Sequence, residues 1–185
     1  MFVNNYLTSV TKQLRYYKHL GDQTFNQLSE DDLLKEIEVD ANSIAIIVNH
    51  MVGNMKSRWT DFLTSDGEKT WRNRDVEFEN GIKSKADLLS KWEEGWECVF
   101  NALETINEEN FDSIIYIRNQ GHTITEAINR QLCHYSYHIG QIVYLGKLHT
   151  GNAWNSLSIP KNQSEAYNAK RFNKGKEMKH FTDDI

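Results

Sequence analysis

The stretch TITEAINRQLCHYSYHIGQIVYLGKL, residues 123–148, decides the fold and carries the candidate chemistry. Thr123 and Glu126 have the spacing of a capping box, in which the two side chains satisfy free backbone N–H groups at a helix start. Apolar residues then recur at three- and four-residue intervals, the period of a helix with one buried face: Ile124, Ile128, Leu132, Tyr135, Ile139 and Ile142. The stretch therefore predicts a long amphipathic helix from Thr123 to about Leu148.

Three more stretches of the chain have the same helical periodicity. They predict long helices over residues 2–20, 42–63 and 84–107. Gly21 and Asp22 are expected to end the first of them. Residues 66–81 lack any sustained period and predict a long crossover loop outside the core. Four long helices with one long crossover favour an all-α fold, a four-helix bundle.

Shorter elements complete the expected architecture. The apolar run 114–117 followed by Asn119-Gln120-Gly121 predicts a small β-hairpin before the last main helix. The acidic piece Ser29–Asp32 has the pattern of a helix N-terminus, and a short helix is expected over residues 164–172. We predict one domain over residues 1–172, followed by a mobile tail over residues 173–185.

The composition excludes several classes of protein. The chain has 185 residues, of which 39% are hydrophobic and 25% charged, as in a single globular domain. Its net charge of −5 argues against a general nucleic-acid binder. No apolar run approaches the ~20 residues of a membrane helix, and the N-terminal sequence has no secretory pattern. The two cysteines lack metal-type spacing, so we expect reduced thiols and a cytoplasmic protein.

Three histidines are the candidate metal ligands. His134 and His138 lie four residues apart on the predicted last helix, about 6 Å along its axis and about 40° around it, so both imidazoles can reach one ion. His50 lies beside the apolar face of the second predicted helix and can join them if those helices pack together. Three imidazoles would leave open coordination positions, as in catalytic zinc sites. A chance pair of histidines, and a buried hydrogen-bonded His50, are the structural alternatives.

A second group of polar residues are candidates for roles around such an ion. Arginines offer planar donors to a carboxylate or phosphate, and the candidates for substrate binding are Arg58, Arg72, Arg74 and Arg130. Each could equally bridge helices or lie in solvent. Asp61, on the same side of its helix as His50, is a candidate to orient that imidazole or an ordinary surface acid. The sequence offers no clear general base.

Two long motifs resemble the DinB/YfiT-like superfamily of metalloenzymes. The first, HMVGNMKSRWTDFL over residues 50–63, is similar to the H-x-x-G-N-M-x-S-R-W-T-D-F-L pattern of an uncharacterised branch. The second is INRQLCHYSYHIGQI over residues 128–142. The resemblance extends over roughly residues 1–165.

The resemblance implies a bundle that holds a divalent ion, most often zinc or nickel, through His50, His134 and His138. It also implies a homodimer acting on a small-molecule substrate, with no nucleic-acid or membrane partner. Characterised members of the superfamily include transferases and isomerases that use low-molecular-weight thiols such as bacillithiol or mycothiol. The resemblance therefore favours a metal-dependent enzyme that adds a small thiol to an electrophile. A metal-dependent hydrolase and a non-catalytic metal- or ligand-binding dimer are the alternatives.

Overall fold

Helices form most of the structure. The computed structural model describes residues 2–38, 40–79 and 81–183, which form six α-helices and one two-stranded antiparallel sheet. The helices are α1 (Phe2–Asn26), α2 (Glu30–Leu34), α3 (Ile44–Trp59), α4 (Lys85–Glu104), α5 (Ile124–Thr150) and α6 (Ser164–Phe172), and the strands are β1 (Ile114–Ile117) and β2 (Gln120–Thr123). The mainly helical fold and the small hairpin expected from the sequence are confirmed.

The four long helices enclose one apolar core. α3 packs most extensively on α4 and α1 on α5, and contacts between α3 and α5 and between α1 and α4 complete the bundle. The core includes the predicted apolar faces and several large, fully buried side chains, among them Leu14, Met51, Met55, Trp92, Trp96, Ile128 and Tyr135. Each such side chain contributes about 1.5–3 kcal/mol through its removal from water. The core therefore holds α3 next to α5, the two helices that carry the histidines.

The first helix is longer than predicted. Gly21 was expected to end it, but α1 continues to Asn26. A Cβ at Gly21 would lie 2.5 Å from the indole of Trp92, and the Trp92 Nε1–H donates to Asp22 at 2.7 Å. Gly21 thus lets α4 approach α1 closely. This contact and the burial of Phe25 outweigh the roughly 1 kcal/mol that glycine costs within a helix.

The helix that carries His50 is shorter than predicted at its C-terminal end. α3 ends at Trp59 rather than at Leu63, because Asp61 has a φ of 48°, in the left-handed region that interrupts a right-handed helix. At the other end, the Ser43 side chain caps α3 by accepting from the Ile46 N–H. The capping box of Thr123 and Glu126 is present at the start of α5, as predicted.

The connection between α3 and α4 is a long crossover outside the apolar core, as its lack of periodicity predicts, and it packs on the bundle. We call residues 66–79 the crossover segment; of the predicted loop, Asn80 lies outside the described residues. The segment contributes no described residue to the apolar core, but it folds onto α3 through a short 3₁₀ helix, Val76–Phe78. Glu77 is 7% exposed and the Arg72 side chain 2%. The segment therefore buries charged groups against the bundle.

The hairpin holds the first residues of the crossover segment. Its turn residues, Arg118 and Asn119, have φ angles of 55° and 60°, as a type I′ turn requires, although glycine or asparagine usually fills such positions. The Asp66 carboxylate accepts the N–H groups of both residues at 2.8 Å, and Gly67 N–H donates to the Tyr116 carbonyl at 2.8 Å. These bonds keep the turn beside α3. Within the described residues, every helix is too short or too polar to cross a bilayer.

Candidate metal centre

Three histidines from two helices converge beside the crossover segment. His50 of α3 is 5% exposed, and His134 and His138, one turn apart on α5, are half-buried. The ring centroid of His50 lies 5.5 Å from that of His134 and 5.1 Å from that of His138. One nitrogen of each ring can be chosen so that all three lie within 4.8 Å of one another. The packing of α3 on α5 thus assembles a triad by bringing His50 next to two histidines that lie far from it in the sequence.

Neighbouring side chains orient two of the three rings. His50 Nδ1 lies 2.9 Å from a carboxylate oxygen of Glu77, and His138 Nδ1 lies 2.7 Å from the Gln141 carbonyl oxygen. Each oxygen accepts the Nδ1–H, so the proton stays on Nδ1 and the Nε2 lone pair is left free. Phe78 stacks on His50 at 4.7 Å and restrains the ring from its face. This is the arrangement that metal-binding histidines ordinarily have.

The surroundings also keep the α5 histidines neutral. Burial, followed by the charges of His138 and His50 and of nearby arginines, lowers the pKa of His134 to about 3. Burial lowers the pKa of His138 as well, against an opposing effect of Gln141. Metal binding requires unprotonated imidazole. Both rings therefore have the protonation state of a ligand at neutral pH.

The donor set fits a divalent transition ion. The Nε2 atoms of His134 and His138 are 3.0 Å apart, and two nitrogens bound at about 2.0–2.1 Å to tetrahedral zinc lie about 3.3 Å apart. A proton shared between these two atoms would give a similar distance, and a cation can replace it. Imidazole nitrogens suit zinc and nickel and are poor ligands for magnesium or calcium. With three protein ligands, such an ion would keep coordination positions for water or a substrate.

Glu77 links the centre to a buried network of charges. Arg72 donates to it through two nitrogens, Nε at 2.7 Å and the terminal Nη2 at 2.9 Å. Burial acts to raise the pKa of Glu77, but the hydrogen bonds from His50 and Arg72 lower it below its usual range. Burial acts to lower the pKa of the Arg72 guanidinium, but the hydrogen bonds to Glu77 raise it above its usual value. Glu77 therefore remains an anion that holds His50 and Arg72 together.

A second carboxylate anchors two further arginines. Glu68 accepts from Arg58 at 2.9 Å and lies 3.3 Å from Arg118 of the hairpin turn. The Gly67 carbonyl oxygen accepts two hydrogen bonds. One comes from Arg58, and the other comes from the Ser57 hydroxyl at 2.7 Å. Burial acts to raise the pKa of Glu68, but these arginines lower it. The hairpin turn is thereby brought to the edge of the histidine site.

The network surrounds a polar cavity of about 230 Å³ next to the triad. Its walls include His50 and His134, Asn54 and Gln131, and five arginines: Arg58, Arg72, Arg74, Arg118 and Arg130. All four arginines proposed from the sequence for substrate binding thus lie around one cavity. We call it the arginine cavity. Any ion held by the triad would have anion-binding groups next to it.

The residue suggested for orienting His50 lies elsewhere. Asp61 is exposed just after α3, where its carbonyl accepts from Thr64 and Ser65. Among the described residues, the Nδ1–H of His50 donates to Glu77 and not to Asp61. Sequence reasoning missed Glu77 because it lies 27 positions from His50 in a segment without periodicity. Gln141 was missed as well, although a glutamine three residues after a histidine is within reach of it on a helix.

Fold and site together define a helical-bundle protein with a three-histidine candidate metal centre. The chain belongs to DUF1572, a DinB-like protein family of unknown function, which matches residues 1–163. Neither curated proteins nor solved structures yield a match to the chain. The matched range contains helices α1 to α5, and with them all three histidines, and it ends just before α6.

Proposed function

We propose that the chain is a divalent-metal enzyme of the DinB/YfiT-like superfamily, which transfers or adds a low-molecular-weight thiol to an electrophilic substrate. The observation that supports this proposal best is the convergence of three histidine nitrogens within 4.8 Å beside a polar cavity. Zinc or nickel is the proposed ion, since three imidazoles suit both. The homodimer and the cytoplasmic location expected from the sequence stay predictions.

The residues of the chain have separable roles in this proposal. His50, His134 and His138 hold the ion, and Glu77 and Gln141 keep two of the rings in the tautomer that binds it. A divalent ion held by neutral imidazoles lowers the pKa of a thiol or water that it binds. The sulfur then forms its bond to the electrophilic carbon after losing its proton to solvent. A leaving group, where the electrophile has one, departs with the bonding electrons. Where it has none, a π bond of the electrophile breaks instead, and the atom that receives its electron pair takes a proton from solvent.

The arrangement suits thiol transfer because a small thiol can lose its proton without a general base. Glu77, the buried carboxylate at the centre, is occupied by His50 and Arg72. It is therefore a positioning residue rather than a base. A small thiol has a pKa near 8.5 and needs only a modest shift to ionise at neutral pH, whereas water needs a shift of about nine units.

Metal binding is tested first, on purified metal-free protein. We expect one divalent ion per chain by elemental analysis and by titration, and release of the ion on acidification as the imidazoles become protonated. His50→Ala/His138→Ala should abolish this binding, while His19→Ala, which removes a histidine of α1, should leave it intact. An unchanged stoichiometry in the double variant would remove these residues from the site.

Activity is tested with a panel of small thiols and electrophiles, using metal-free, metal-loaded and His134→Ala protein, with metal content measured in each sample. We expect the metal-loaded protein alone to accelerate conjugation. Equal rates in all three samples would reject metal-assisted thiol transfer for that panel. Metal-dependent cleavage of esters or amides, without thiol conjugation, would favour the hydrolase instead. Stoichiometric metal binding with neither reaction would favour the non-catalytic module.

A further inference from the structure

The charges around the arginine cavity are out of balance. Five guanidinium groups face the cavity, and two carboxylates, Glu68 and Glu77, pair with them. This leaves an excess of three positive charges in a chain whose net charge is −5. The cationic groups are therefore concentrated at this site against the overall charge of the protein, before any metal ion adds its own.

The five arginines divide into two groups. Arg58, Arg72 and Arg118 are paired with Glu68 or Glu77 and build the walls of the cavity. Arg74 and Arg130 are exposed, and neither has a carboxylate partner in the part of the chain that the structure describes. Arg74 lies over the ring of Phe78 at 5.0 Å, a contact that directs its side chain without neutralising it. Two guanidinium groups thus remain available to a ligand at the rim of the arginine cavity.

Buried polar atoms in the walls also lack partners. Gln131 is 4% exposed, yet its side-chain oxygen has no hydrogen-bond partner among the described residues. The Nε of Arg58, a side chain 6% exposed, is likewise without an acceptor among them. Buried polar groups in proteins are nearly always hydrogen-bonded. Both side chains face the cavity, so a ligand there can supply the missing partners.

We propose that the arginine cavity binds an anionic oxygen group, a carboxylate or a phosphate, carried by the small-molecule substrate. Arg74 and Arg130 supply the ion pairs, Arg58 Nε supplies a buried donor, and the Gln131 amide contacts the atoms next to the anionic group. Arg58, Arg72 and Arg118 are positioned by Glu68 and Glu77 and shape the site. This deepens the proposed function, on which it rests for the reacting end of the same substrate.

The chemistry of the walls favours these anions over other ligands. A guanidinium presents paired N–H donors in a plane, which match the two oxygens of a carboxylate or phosphate. Among the residues that the structure describes, no lysine lines the cavity. His50 and His134 lie in the same walls, so an anion held by Arg74 and Arg130 leaves the rest of the molecule directed at the triad. The site would bind one end of a substrate and expose the other to the ion.

Binding is measured by calorimetry on the full-length, metal-free protein, because a bound metal would itself attract anions. Inorganic phosphate and succinate are titrated separately at constant ionic strength, and the tighter of the two identifies the anion class. We expect Arg130→Gln and Arg74→Gln each to weaken that binding at least tenfold. Arg15→Gln, which removes an arginine of α1 that lies over Phe100, should bind as the wild type does. Circular dichroism confirms that each variant is folded.

The outcomes separate this inference from the proposed function. No binding of either anion, or equal binding by wild type, Arg74→Gln and Arg130→Gln, would overturn the anion site while leaving metal-dependent turnover untouched. Anion binding that depends on Arg74 and Arg130 in a protein that fails to bind metal would support the anion site and reject the metal enzyme. Weakening by Arg15→Gln to the same extent would show general charge attraction and overturn the proposal.

Discussion

Two segments outside the main helices differ sharply, although both have polar sequences. The crossover segment packs on α3 and buries Arg72 and Glu77. The C-terminal segment, residues 151–183, lies on the surface with few contacts, and its Phe172 is 83% exposed. The two segments differ in whether their charged side chains are paired. A charged group that is buried away from water needs a hydrogen-bonded partner of opposite sign. The crossover segment has such partners on α3 and within itself.

The C-terminal segment meets the bundle through a few contacts at the surface. Gln27 and the Asn155 backbone exchange hydrogen bonds at 2.7 and 3.2 Å, and Phe181 packs edge-on against Tyr16 at 5.4 Å. Lys12 pairs with Asp183 at the surface at 2.6 Å. Exposed pairs of this kind contribute little because both ions are already well solvated. We therefore expect substitutions in the crossover segment to have much larger effects than substitutions in the C-terminal segment.

The largest effect is expected from Glu77→Ala. It leaves Arg72 buried without its bidentate partner and His50 without its acceptor, and removal of one member of a buried pair costs about 3–5 kcal/mol. Metal affinity should fall about 10- to 100-fold, because the His50 ring loses its orientation. Urea unfolding of metal-free protein and metal titration measure the two effects.

The control for that substitution is Glu79→Ala, an exposed carboxylate two residues further along. It should change neither the free energy of unfolding nor metal affinity appreciably. If Glu77→Ala does not fold, Glu77→Gln, which keeps an oxygen for His50 but loses the charge, provides the affinity measurement. Glu77 variants as stable as Glu79→Ala would contradict the idea that buried pairing distinguishes the crossover segment.

A smaller loss is expected from Gly53→Ala. The new Cβ on α3 would lie 2.6 Å from the carboxyl carbon of Glu77, so the carboxylate must shift from the position in which it holds His50 and Arg72. Such overpacking costs about 1–3 kcal/mol, and metal affinity should fall with the displacement. Gly140→Ala on α5 is the matched control, since its Cβ would meet nothing within 4 Å. That change should stabilise the helix by up to about 1 kcal/mol. Equal stability of the two variants would mean that Glu77 is not held tightly.

A third effect is expected from Asp66→Asn, at the junction of the crossover segment and the hairpin. Burial acts to raise the pKa of Asp66, but the backbone N–H groups that it accepts lower it. Its folded pKa is therefore below the unfolded value of about 3.9, so its stabilisation is present above that pH and is lost as pH falls through the lowered value. We expect a loss of about 1 kcal/mol at pH 7. The difference from wild type should shrink below pH 4 in unfolding curves; a constant difference would rule out this role.

The smallest effect is expected from Lys12→Ala, which breaks the surface pair with Asp183 in the C-terminal segment. Thermal unfolding should show no appreciable change in midpoint, because water solvates both ions in either state. Metal content should stay the same. A destabilisation comparable to that of Gly53→Ala would show that the C-terminal segment is as integral to the bundle as the crossover segment.

The sequence by itself determined the local architecture and the candidate ligand set. Helical periodicity and capping pairs such as Thr123 and Glu126 are short-range signals, so the long helices, the hairpin and α6 are predictable without tertiary information. The i,i+4 spacing of His134 and His138 likewise guarantees proximity on a helix. Adding His50 required only the assumption that its helix packs next to theirs, which the structure bears out in the contacts between α3 and α5.

Only the tertiary structure decided the roles of individual residues outside the apolar faces. Gly21 is a close-packing residue and not a helix end, because Trp92 of α4 lies against it. Glu77, and not Asp61, holds His50, and the arginines divide into paired and unpaired groups according to the positions of Glu68 and Glu77. These outcomes depend on burial and charge pairing between residues far apart in the chain. Periodicity reports which face of a helix is buried, but only the folded chain determines which charges are withdrawn from water together.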